Sequence, residues 1–135
     1  MINDFNIYCH HMTINMGKKI NPKFSDLVGK KIQIRIDRYG NLNDLNELFA
    51  FFGEPAGLTL SNPHITALIR KDSKFKPKDS NNIKNKYWTK PFYVYGYVTE
   101  NTEDKGYCSI LLDQDSHFKL LKIITEILHK YHSRR

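Results

Sequence analysis

The sequence HMTI at residues 11–14 is repeated as HITA at residues 64–67, so each copy reads histidine, apolar residue, threonine, apolar residue. Each copy lies in a stretch whose composition is typical of a β-strand. Because side chains two residues apart project from the same face of a strand, each histidine shares a face with its threonine. If the two strands lie together, one cleft backed by an apolar layer receives four polar side chains, those of His11, Thr13, His64 and Thr66.

Other segments predict further strands and one long helix. Residues 31–37 alternate cleanly, which directs Ile32, Ile34 and Ile36 toward a core, and residues 39–41 are expected to end that strand. Short apolar runs predict strands at about residues 5–16, 46–53, 64–70, 92–98 and 107–112.

The helix is predicted at residues 117–131, where Leu120, Ile124, Ile127, Leu128 and Tyr131 form one apolar stripe. Asp115 or Ser116 is expected to cap it. Residues 71–90, rich in lysine, predict a long polar connection. Together these elements predict an α+β fold.

Length and charge restrict the class of protein. The 135 residues fit one domain, which we place at residues 1–135. The formal net charge of +7 favours a polyanionic partner such as nucleic acid or a phosphorylated ligand, although a charge that serves only solubility stays open. We find no signal peptide and no stretch long enough to span a membrane, so we expect a cytoplasmic protein without a membrane partner. We also expect a monomer.

The repeated motif suits phosphodiester chemistry. Histidine titrates near neutral pH, so one imidazole can act as general base on water while the other protonates the leaving oxygen. Threonine hydroxyls can donate hydrogen bonds to the non-bridging phosphate oxygens. No HExxH motif or cysteine spacing typical of zinc is present, and we expect neither a metal nor another cofactor.

The two copies resemble the signature of the two-histidine (2H) phosphoesterase superfamily. The resemblance covers roughly residues 5 to 112 and is nearest to RNA 2',3'-cyclic phosphodiesterases and the cyclic phosphodiesterase domains of fungal-type RNA-repair ligases and their viral and phage relatives. It implies two pseudo-symmetric lobes of antiparallel sheet with flanking helices around a central groove. It also implies hydrolysis of a 2',3'-cyclic phosphate on an RNA end or a nucleotide.

Several other residues are candidates for substrate contact. Basic pairs follow each motif, and the segment after the second motif resembles the family pattern. The candidates are Lys18, Lys19, Arg70, Lys71, Ser80, Asn81 and Trp88. Trp88 could equally anchor its loop to the core, and the basic pairs could simply solvate strand ends. Tyr93, Tyr95 and Tyr97 alternate on one strand face, as in ordinary sheet packing or in a platform for nucleobases.

Three alternatives stay open from the sequence. The substrate could be a cyclic di- or oligonucleotide second messenger, or the protein could be a basic RNA-binding module without turnover. The two histidines could also be half-buried strand residues with no catalytic role. His10 is expected to point away from the cleft, although a slip of one residue in strand register would exchange it with His11.

Overall fold

The computed structural model describes residues 1–15, 22–101 and 107–133, and within these ranges the fold is α+β, as predicted. The described strands are β1 (Phe5–Ile7), β2 (His11–Asn15), β3 (Lys31–Asn41), β4 (Leu48–Pro55), β5 (His64–Arg70), β6 (Lys86–Asn101) and β7 (Tyr107–Leu112). The α-helices are α1 (Pro22–Ser25) and α2 (Gln114–Ser133), and 3₁₀ helices cover Ile2–Asp4, Leu42–Asp44 and Pro77–Asn82.

The seven described strands form one antiparallel sheet in the order β1-β5-β4-β3-β6-β7-β2. Its two edge strands, β1 and β2, are consecutive in the chain. The backbone N–H of Cys9 donates to Thr66 O at 2.9 Å, and that of Leu112 donates to His10 O at 2.8 Å. One continuous segment therefore bonds to β5 through its first half and to β7 through its second half.

The prediction of a single strand at residues 5–16 is wrong. Cys9 has a φ of 60°, in the left-handed region that non-glycine residues seldom adopt, and the strand breaks there into β1 and β2. The last residue of the predicted strand, residue 16, lies outside the described residues.

The two motif strands show the predicted alternation of faces. Met12, Ile14, Ile65 and Ala67 are buried in the main core, while the histidines and threonines between them keep part of their surface. Full burial of a side chain the size of Met12 or Ile65 stabilises a fold by about 1.5–3 kcal/mol, which fixes which face of each strand turns outward.

Helix α2 covers the core with the predicted stripe, since Leu120, Ile124, Ile127 and Leu128 are buried. The predicted caps are wrong, because the helix begins earlier, at Gln114. The side chain of Asp113 accepts the N–H of Ser116 at 2.8 Å, and the Ser116 hydroxyl accepts the N–H of Tyr95 at 2.7 Å. Asp113 thus caps the helix, and Ser116 ties it to β6.

Two predicted strand boundaries also move. Residues 39–41 do not break strand β3 but form its last three residues, because β4 on one side and β6 on the other continue to pair with it as far as Asn41 and Gly40. The connection predicted at residues 71–90 is shorter, because the 3₁₀ helix Pro77–Asn82 lies within it and β6 begins at Lys86. The strand predicted at 46–53 is β4, shifted by two residues.

Within the described ranges, no helix combines the length and the apolar character needed to cross a bilayer.

Candidate phosphodiester-binding cleft

The two motif strands lie together although they are distant in sequence. A cleft of about 420 Å³ opens where β2 and β5 meet, and the side chains of His11, Thr13, His64 and Thr66 all line it. The volume is in the range of pockets that hold a small ligand. The structure therefore brings the four residues of the repeated motif to one site.

On the β2 side, a tyrosine links the histidine to the threonine. The hydroxyl of Tyr107 lies 3.2 Å from Nε2 of His11 and 2.9 Å from Oγ1 of Thr13. A protonated Nε2 would donate to the phenol oxygen, the phenol would donate to Thr13, and the threonine hydrogen would be released toward the cleft. An Nε2 without a proton reverses both bonds. The presence of a proton on Nε2 of His11 thus decides whether Thr13 has a hydrogen to donate.

On the β5 side, the backbone fixes the tautomer of the histidine. Nδ1 of His64 lies 2.8 Å from the carbonyl oxygen of Asn62, which can only accept, so the proton is on Nδ1 and Nε2 is left as an acceptor. Lys86 donates to the side-chain oxygen of the same asparagine at 3.2 Å. Its ammonium also lies 4.5 Å from the ring centroid of Phe52, the neighbour of His64 in the sheet.

The second threonine is held by a buried serine. Oγ1 of Thr66 lies 2.8 Å from Oγ of Ser80 and 3.3 Å from the carbonyl oxygen of Pro77. Ser80 is fully buried, in the 3₁₀ helix Pro77–Asn82. When Ser80 donates to Oγ1, the Thr66 hydroxyl keeps its own hydrogen for another partner. Because the bond from that hydroxyl to Pro77 is long, the hydrogen is able to turn toward an anion in the cleft.

The imidazoles of both motif histidines favour their neutral form. Burial, with further contributions from His10 and His64, lowers the pKa of His11. Burial also lowers the pKa of His64, and the positive charge of Lys86 adds to this, while the hydrogen bond to Asn62 opposes it. An anionic phosphate between the rings would raise both pKa values, so ligand binding would promote proton uptake.

The sequence predicted that His10 points away from the cleft, and this prediction is wrong. The break at Cys9 ends the simple alternation, and His10 lines the cleft beside His11. Its ring stacks on that of His117 in α2, with centroids 4.8 Å apart and an interplanar angle of 5°. His117 is itself held by its Nδ1, 2.9 Å from the carbonyl oxygen of Cys9.

The predicted substrate contacts divide into three groups. Asn81 lines the cleft, and Ser80 lies behind it as the partner of Thr66. Arg70 and Lys71 lie away from the cleft, because Arg70 is six positions along strand β5 from His64, a distance of about 20 Å. Trp88 is not among the residues that line it either. The residue is 76% exposed and its ring lies 5.6 Å from the Arg38 guanidinium, so it is not the core anchor considered above. Lys18 and Lys19 lie outside the described residues.

Sequence reasoning missed three contributors to the site. Lys78 lines the cleft beside Asn81 and supplies a positive charge. Tyr107 and Asn62 orient the two histidines. Only the strand β7 assignment pointed toward Tyr107, since its register with β2 is a tertiary feature.

Within the described ranges, no three side chains among histidine, cysteine, aspartate and glutamate are placed to hold a metal ion. Comparison with protein-family models, with curated proteins and with solved structures finds no match for this chain.

Proposed function

We propose that the cleft hydrolyses a phosphodiester without a metal ion, with a 2',3'-cyclic phosphate of an RNA end or nucleotide as the substrate. One observation supports this most: two histidine–threonine pairs from strands 53 residues apart line one cleft of about 420 Å³. Lys78 and the net charge of +7 favour an anionic ligand there. The 2H superfamily, with its two pseudo-symmetric lobes, is the family to which we assign the chain by resemblance of the motifs.

We assign the role of general base to His64. Its Nδ1 proton is held by the Asn62 carbonyl, so the free Nε2 can take a proton from water as the water oxygen attacks phosphorus. Lys86 favours the neutral imidazole that a base requires. Thr66, steadied by Ser80, is placed to donate to a non-bridging oxygen.

We assign the role of general acid to His11. An imidazolium there carries a proton on each ring nitrogen: Nε2–H donates to Tyr107, and the Nδ1 proton passes to the 2' or 3' oxygen as the bond from that oxygen to phosphorus breaks. Through Tyr107, the same protonation frees the hydroxyl of Thr13 for the phosphate. Water thus supplies the hydroxyl of the product phosphate, and the two histidines exchange protonation states in each turnover.

Turnover of 2',3'-cyclic AMP tests the proposal. We expect hydrolysis by the wild type and a fall of about 10²–10⁴-fold for His11→Ala and for His64→Ala, since each removes one proton transfer. The double variant should be far less impaired than the product of the two losses, because the groups act as a unit. His129→Ala, on the exposed side of α2, is the matched control and should keep wild-type turnover.

The assignment of roles has a separate test. Bis(4-nitrophenyl) phosphate has a leaving group that needs no protonation, so His11→Ala should lose much less activity on it than His64→Ala does. Equal losses would overturn the assignment but not the activity. Wild-type turnover by both variants on 2',3'-cyclic AMP would overturn the proposed function, as would a wild type that hydrolyses neither compound.

A further inference from the structure

An exposed row of side chains leads out of the cleft across the outer face of the sheet. Strand register places His11 opposite Leu111, Leu111 opposite Tyr97, and Tyr97 opposite Lys31. Directly opposed residues on adjacent antiparallel strands share a face, so these four form a line perpendicular to the strands. The line begins at the cleft histidine and ends at a lysine.

Aromatic side chains widen this row along β6. Tyr93 and Tyr95 share the face of Tyr97, and each of the three rings keeps between 36% and 45% of its surface exposed. Leu111, between Tyr97 and the cleft, is 51% exposed. So many large exposed side chains on one face, continuous with a cleft, mark a binding surface more often than sheet packing.

Tyr95 is held in place at the centre of this face. Its hydroxyl accepts a hydrogen bond from Nε2 of Gln33 at 3.0 Å, and the Lys31 ammonium lies 5.3 Å from its ring centroid. A ring already fixed loses little conformational entropy when a ligand stacks on it. Arg35, opposite Tyr93, adds a second cation, although it is paired with Asp37 at 2.8 Å.

We propose that this face binds the single-stranded RNA that precedes the terminal cyclic phosphate. The inference rests on the proposed function, and it narrows the substrate from an RNA end or a nucleotide to an RNA end. Exposed aromatic rings interleaved with basic side chains are the usual means of holding single-stranded nucleic acid, by stacking of bases and attraction of phosphates. Tyr97 lies two strands from His11, about 10 Å away, so a nucleotide upstream of the terminal one reaches it.

Substrates of different length test this inference. For a six-nucleotide RNA ending in a 2',3'-cyclic phosphate, Tyr97→Thr should lower kcat/KM by roughly ten-fold, the effect of losing one stacked base. For 2',3'-cyclic AMP the same variant should match the wild type. Threonine suits a strand, and Tyr97→Phe, which keeps the ring, should restore the activity on RNA.

Tyr87→Thr is the matched control. Tyr87 lies on the same strand and is 38% exposed, but its ring packs at a tilt against Tyr39 and it is outside the row. Tyr87→Thr should leave kcat/KM unchanged for both the six-nucleotide RNA and 2',3'-cyclic AMP. Equal kcat/KM of wild type and Tyr97→Thr on the six-nucleotide RNA would overturn the inference.

Binding separates this inference from the proposed activity. A fluorescein-labelled twelve-nucleotide RNA with a 3'-phosphate needs no turnover, so its affinity, measured by anisotropy, should fall for Tyr97→Thr even if no hydrolysis is found. A wild type that hydrolyses 2',3'-cyclic AMP but binds this RNA no more tightly than the variant does would leave the activity standing and remove the binding face. Self-association through this face, seen by sedimentation and abolished by Tyr97→Thr without any RNA binding, would also overturn it.

Discussion

Replacing Tyr107 by phenylalanine removes one oxygen atom and two hydrogen bonds from the cleft, at 3.2 Å to His11 and 2.9 Å to Thr13. The ring stays, so its edge-to-face packing against His11, with centroids 6.4 Å apart, is kept. The change therefore isolates the hydroxyl that couples the protonation of His11 Nε2 to the threonine hydrogen.

The size of the effect follows from these two bonds. A hydrogen bond to a charged partner contributes about 1.5–3 kcal/mol, which corresponds to roughly 10- to 150-fold in rate if it is made in the transition state. The phenol oxygen accepts from a protonated His11, so its loss should also lower the pKa of that imidazole further. We expect kcat to fall by about 10- to 100-fold with little change in KM.

Measured kcat against pH for 2',3'-cyclic AMP checks the role of Tyr107. The decline of kcat on the alkaline side should move to lower pH in Tyr107→Phe, because the general acid loses its proton more easily. Tyr93→Phe is the control, since it removes a phenol from the outer face of the sheet and leaves the cleft intact. Unchanged kcat and an unchanged pH profile for Tyr107→Phe would refute the coupling argued above.

Three further outcomes are expected. A chelator should leave turnover of 2',3'-cyclic AMP unchanged, and loss of activity that a divalent metal restores would contradict the metal-free mechanism. Ser80→Ala should lower kcat by about 2- to 10-fold and lower the Tm, since Thr66 loses its 2.8 Å partner and a small buried void opens. Ser73→Ala is its control in thermal melts, because Ser73 is only partly buried and its hydroxyl accepts a hydrogen bond from the N–H of Phe75. In the folded protein the pKa values of His11 and His64 lie below the ordinary 6.5. The contribution of these two groups to stability is therefore present above about pH 6.5 and is lost as pH falls through the folded pKa values. The Tm should fall from pH 7.5 to pH 5, and it should fall less in His64→Asn.

The alternation of apolar and polar residues was enough to predict local structure. A period of two at residues 11–14, 31–37 and 64–67 is enough to assign which side chains face the core, because an apolar layer can be buried in only one way. The repeat of the motif then placed four polar groups on outward faces. That both strands contribute to one cleft is a tertiary feature, and the sequence supported it only through the likeness of the two copies.

What the sequence did not predict depends on long-range pairing. Nothing local favours a turn at Cys9, since it is neither glycine, proline nor asparagine, and its φ of 60° is imposed by hydrogen bonds to β5 on one side and β7 on the other. The position of His10 in the cleft follows from that turn. Tyr107 reaches His11 only because β7 pairs with β2 in one register, which no short motif encodes.

The turn at Cys9 also has a consequence for biosynthesis. Residues 5–15 leave the ribosome before either strand that they bond to, and the second of these strands ends only at Leu112. Since chains fold from the amino terminus as they are made, this segment has to wait for its partners, and such distant contacts form slowly. A nascent chain shorter than about 112 residues therefore holds the motif histidines without the cleft between them, and hydrolytic activity should arise only with the completed sheet.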